Sequence, residues 1–145
     1  MIRILGILVA ALFGVLSLFH LYWAAGGSFG SGVTVPTVGG KRDFNPSPLG
    51  TVMVAIALLL AMLTILGQLG LLGRWLPKWI FRWGTGGIAL IFFLRAVGEF
   101  KRVGFFKQVS DTPFAYWDTW LFSPLCLVIA VTAFALVYTD TLEEG

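Results

Sequence analysis

Residues 51–72 read TVMVAIALLLAMLTILGQLGLL, and residues 73–78, GRWLPK, follow directly. The first stretch carries no charge and exceeds the roughly 20 apolar residues that a helix needs to cross the hydrocarbon of a bilayer. The second holds Gly73 and Pro77, which break a helix, and Arg74 and Lys78, which belong in water or among headgroups. A crossing followed by a tight basic turn implies a return crossing. Residues 79–97 supply it, again mostly apolar.

Working outward, residues 4–25 form another long apolar run and residues 121–138 a fourth. The two remaining connections are long. Residues 26–50 are rich in Gly and include Pro36, Pro46 and Pro48, with 33–35 (VTV) as a candidate short extended piece. Residues 98–120 carry most of the other charges, and an acidic tail, 140–145, ends the sequence. The opening Met1-Ile2-Arg3 and the triplet Ala24-Ala25-Gly26 have the form of a signal peptide's charged start and cleavage site. The run is too long for that role and closes on Tyr22-Trp23, an interfacial pair, so it reads as a retained helix. The expected fold is all-α, one polytopic transmembrane domain over 1–145 with four membrane-spanning helices.

Composition agrees. The chain is 58% hydrophobic and only 12% charged, about half the charge of a soluble domain, and its mean hydropathy is +0.91. So few charges could not cover a water-facing surface. The net charge of +3 comes from Lys and Arg in short segments between apolar runs, a spacing suited to headgroup contact and not to nucleic acid. Cys126 is the sole cysteine and His20 the sole histidine, so no disulfide, Cys-x-x-Cys pair or cysteine zinc cluster can form within the chain. No metal or cofactor is expected.

Aromatic residues divide into two levels. Trp75, Trp79, Trp83 and Tyr138 belong to one, and Tyr22, Trp23, Tyr116, Trp117 and Trp120 to the other, as expected of rings that prefer membrane interfaces. Small or weakly polar residues recur at helical spacing: Gly6, Ala10, Gly14 and Ser17; Ala57, Ala61, Thr64 and Gln68; Gly84, Gly87, Ile91 and Arg95; Ser123, Cys126, Ala130 and Ala133. In lipid, close backbone approach through small residues drives helix association, so these stripes are expected to pack. Ser47-Pro48-Leu49 and Ser123-Pro124-Leu125 each suggest a Ser cap before a first-turn Pro, and their spacing hints at two tandem helical hairpins.

The ionisable groups within or beside the spans gather at one end. Arg95 lies on its stripe and needs a partner there; Glu99 follows one turn later, and Asp118 precedes the fourth run. His20, Tyr22, Trp23, Ser123 and Cys126 reach the same end. Two readings of Arg95 stand together: a polar ligand site, or an ion pair that pins the third helix to the fourth. His20 has the proton affinity of a shuttle and also suits an interfacial hydrogen bond. Cys126, His20 and Asp118 are the residue types of a nucleophilic triad, but nothing fixes their distances, so no catalytic residue is assigned.

Several segments together resemble domain-of-unknown-function family 3995, small bacterial membrane proteins. They are residues 20–27 (HLYWAAGG), Pro36, 44–48 (FNPSP), 94–100 (LRAVGEF), 103–107 (VGFFK), 112–115 (TPFA), Asp118-Thr119 and 123–126 (SPLC). The resemblance implies a four-helix protein of the bacterial inner membrane and supplies no activity. Where the family tends to carry Asp one turn after the Arg, this chain has Glu99.

The resulting expectation is a bundle that binds or moves a small molecule or lipid at a polar pocket beside Arg95. A membrane enzyme acting on a lipid-soluble substrate, or an accessory subunit, is the alternative. Membrane lipids are the expected partners, together with a second copy of the chain. Both termini are expected in the cytoplasm. The Lys and Arg count of four (Arg3, Arg74, Lys78, Arg82) against six (Lys41, Arg42, Arg95, Lys101, Arg102, Lys107) is nearly balanced once Arg95 is set aside. The lean comes from the short basic turn.

Overall fold

In a computed structural model of the chain, the described residues are 1–30, 34, 37–38, 41–42, 46–98, 104, 106 and 112–144, with backbone alone at 37–38, 41–42 and 141–144. Helix α1 is Ile2–Ala24, α2 is Pro48–Gln68, and α3 is Lys78–Val97. The last rod is continuous in three parts: α4 (Pro113–Trp117), a π-helical segment (Asp118–Phe122) and α5 (Ser123–Glu144). Four helical spans among the described residues are long and apolar enough to cross a membrane, the fourth running Pro113–Asp140. Thr37–Val38 and Lys41–Arg42 pair antiparallel as two-residue strands β1 and β2. The extended piece expected at 33–35 falls elsewhere: Thr34 is helical, and 33 and 35 lie outside the described residues.

Local chemistry sets the helix ends. Ser47 caps α2, its hydroxyl accepting from the Gly50 N–H at 3.0 Å, with Pro48 in the first turn, where a missing N–H has no consequence. The helix stops at Gln68, short of the expected 72. There the Gly70 N–H donates to the Gly67 carbonyl and the Leu71 N–H to the Leu66 carbonyl, with Gly70 at φ 69°. That Schellman ending requires a left-handed residue, which glycine adopts without strain. Gly26, at φ 95°, ends α1 by the same pair of bonds.

The fourth helix starts at Pro113, well before the expected 121. Thr112 is its cap, accepting from the Ala115 N–H at 3.1 Å. Ser123 is therefore not a cap, and the likeness between the two Ser-Pro-Leu sites is one of sequence only. Pro124 lies inside the rod, where it cannot donate to a carbonyl one turn back. The π segment sits immediately before it, widening the turn where the regular ladder would fail.

The most extensive packing joins α1 to α2 and α3 to α5, and α2–α3 and α1–α5 contacts close the bundle. Val9, Phe13, Ile65, Ile88, Ile129 and Leu136 form much of the shared core. Phe13 and Phe92 rings lie 5.3 Å apart within it. The stripe on α1 packs as expected, with Gly6, Ala10 and Ser17 buried and Ser17 donating to the Ala55 carbonyl of α2 at 2.8 Å. Ser123, Cys126, Ala130 and Ala133 are also buried.

The other two stripes are out of phase. On α2 the buried residues are Ala55, Ile65 and Gly67, while Ala57 is exposed. On α3 they are Thr85, Ile88, Ala89 and Ala96, and Ile91 is 64% exposed. Because α2 is apolar on every face, its sequence has no polar side to fix the rotation. Thr64 still meets α3, with its methyl against Gly84.

Candidate functional site

At one end of the bundle an ion pair joins α3 to the last rod. Arg95, in the last turn of α3, donates from Nη2 to Asp118 Oδ1 at 2.9 Å. Asp118 opens the π segment and is fully buried, while a third of the Arg95 side chain remains exposed. The other carboxylate oxygen, Oδ2, accepts from the Gly104 N–H at 2.8 Å. Gly104 has φ 91°, and a Cβ there would run into the Val97 carbonyl and the Gly98 backbone. Only glycine permits this approach. Three separate stretches of chain are thus tied to one carboxylate.

The knot is compact. Ser123 is fully buried, and its N–H bonds the Asp118 carbonyl, which places it one π turn beyond the acid. Its hydroxyl and Arg95 Nη1 are buried without hydrogen-bond partners among the described residues, as is Thr85 Oγ1 further along α3. Cys126 is buried on α5.

The other expected site residues do not join the knot. His20 Nδ1 bonds the Leu16 carbonyl at 2.8 Å, and its ring meets Trp23 edge-on at 5.1 Å. No hydrogen bond links it to Cys126, Asp118 or Arg95 among the described residues, so a triad is not assembled. Trp23 donates to the Phe29 carbonyl at 2.7 Å. Tyr22 borders a shallow, apolar hollow with Val15, Leu18, Phe19 and Phe29. Glu99, the other carboxylate expected near Arg95, lies outside the described residues. Lys101, Arg102 and Lys107 do as well.

A second hollow lies at the opposite end of the bundle from Arg95. It measures about 650 Å³. The early end of α2 makes room for it, because residues 69–77 arch over the end of the bundle instead of continuing the helix. Arg3 of α1, Arg74 and Lys78 border it, with Gln68 of α2 and Asp140 of α5. Gln68 Nε2 donates to Asp140 Oδ2 at 3.2 Å. Gln68, on the stripe expected to pack, thus makes an interhelical hydrogen bond at the end of α2. Arg3 Nη2 reaches the Leu69 carbonyl at 3.4 Å, one of the acceptors that a helix end leaves open. Phe81 packs so tightly against Gly67 and Gly73 that a Cβ on either would strike its ring.

Sequence reasoning assigned these basic residues to topology alone. A signal was nonetheless present: Gln68 and Asp140, the polar groups ending two spans, fall at the level of four of the cations.

The architecture defines the class: a multi-pass α-helical membrane protein with an ion-paired knot at one end and a polar cavity at the other. The chain belongs to the family described as "Protein of unknown function (DUF3995)", whose model matches residues 13–133. No curated protein and no solved structure matched the chain.

Proposed function

We propose that this membrane protein binds a small molecule or lipid, and that the ligand occupies the cavity bordered by Arg3, Gln68, Arg74, Lys78 and Asp140. One observation carries the reading: a hollow of about 650 Å³ in which polar groups from separate parts of the chain meet apolar side chains. Its size falls within the range of small-molecule sites. The Arg95–Asp118 knot supports the alternative weighed for Arg95, a clasp between α3 and the last rod. The clasp holds the bundle in shape, and the far cavity receives the ligand. The setting for this function is a bacterial inner membrane, with the cavity and both chain ends on the cytoplasmic side.

Native mass spectrometry of the protein extracted gently from membranes tests the reading. A retained small molecule or lipid is expected on the wild type. Thr139→Phe, which fills the cavity from α5, should reduce its occupancy about tenfold, and Leu72→Trp should act similarly from the arch. Equal retention by folded forms of both variants would overturn the site. An accessory subunit would instead be marked by a stoichiometric protein partner, and an enzyme by turnover of the retained compound.

A further inference from the structure

We infer that the group held in this cavity is a phosphate, carried by a lipid headgroup or a soluble phosphate ester; the inference rests on the cavity being a ligand site. Arg3, Arg74 and Lys78 come from three different parts of the chain: the first turn of α1, the arch and the start of α3. Only the fold brings them to one hollow. Asp140 is the one carboxylate among the described lining residues, and its Oδ2 is already engaged by Gln68. Arg3, Arg74 and Lys78 make the charged side chains of the described lining predominantly basic.

The donor geometry favours an oxyanion with several acceptor oxygens. A guanidinium presents five N–H donors in a planar fork that matches phosphate, and an ammonium adds a compact charge. Arg3 uses one nitrogen to reach Leu69 at 3.4 Å, which steadies the fork at the cavity wall. The other side of the hollow is apolar, formed by Leu72, Leu76, Phe81 and Leu136. Exposed Trp75, Trp79 and Trp83 surround the same end and mark it as the level where phosphate headgroups lie.

The test uses the full-length protein in detergent with equimolar phosphatidylglycerol and diacylglycerol, which lacks the phosphate, read by native mass spectrometry. The wild type should retain phosphatidylglycerol at least tenfold over diacylglycerol. R3Q/R74Q should bring that ratio near one, whereas K101Q/K107Q, which removes as much charge between α3 and α4, should leave it unchanged. If R3Q/R74Q fails to fold, R74Q alone, at an exposed turn position, should lower the ratio about threefold. Displacement by glycerol 1-phosphate assigns the phosphate to a soluble ester. Failure to displace a retained phosphatidylglycerol assigns it to lipid. Equal retention of the two lipids by the wild type, or an unchanged preference in the arginine variants, overturns the inference. A different ligand lost from T139F but indifferent to both arginines would sink the phosphate and leave the cavity reading standing.

Discussion

Asp118 shows how one carboxylate can organise a membrane bundle. An arginine cannot shed its proton to suit an apolar site, so Arg95 must be paired, and the fully buried Asp118 pairs it at 2.9 Å. Removing one partner of such a pair leaves the other uncompensated and costs roughly 3–5 kcal/mol. Because a third of Arg95 remains exposed, Arg95→Leu is expected at the lower end, about 3 kcal/mol. The double change Arg95→Met with Asp118→Leu should recover only part of that loss, because it leaves the buried Gly104 N–H without its acceptor. Thermal unfolding in detergent reads both, and a double variant no better than Arg95→Leu would show that the knot is not a simple pair. Gly104→Ala is a sharper case. It forces a left-handed backbone on alanine and drives a methyl into the end of α3, a strain of about 1–3 kcal/mol. Its unfolding midpoint should fall even though every charge is kept.

At the scale of helices, the sequence signal that succeeded was chemical and local: Ser47 before Pro48. Thr112 before Pro113 repeats the arrangement unread, and each pair places a hydroxyl where a first-turn N–H lacks a partner. Ser47→Ala and Thr112→Ala should each cost about 1 kcal/mol. Hydrogen exchange is expected to rise at the Gly50 and Ala115 amides respectively, and unchanged exchange would mean that the caps are not functional. The rotation of α2 was not legible, since a helix apolar on all sides does not state which side meets protein and which meets lipid; on α3 the stripe through Gly84 and Gly87 was read as the packing face, where Thr85, Ile88 and Ala89 are buried instead. The start of the last rod was missed for a different reason. Thr112 and Pro113 sit among charged residues, and Pro124 looked like a beginning when it is an interior proline accommodated by a π turn.

For the whole molecule, four crossings put both chain ends on one side. In a Cys126→Ser background, Trp75→Cys and Trp120→Cys should label with an impermeant maleimide from opposite faces of sealed membranes. Labelling of both from the same face would refute the four-span arrangement. The crossings were readable because lipid demands long apolar runs. The cavity was not, because it depends on where α2 stops and on residues separated by most of the chain, Arg3 and Asp140. The spans are also unequal. The one running Pro113–Asp140 has 28 residues and α3 has 20, about 42 and 30 Å at 1.5 Å per residue, against a hydrocarbon layer of about 30 Å. The shortest span fits that slab upright, so the longest must lean or protrude, and the clasp at Asp118 fixes where it may do so. Membrane thickness thereby becomes a force on the bundle. A thicker bilayer would draw the long rod upright and stretch the short helix beside it, loading the joint between Arg95 and Asp118.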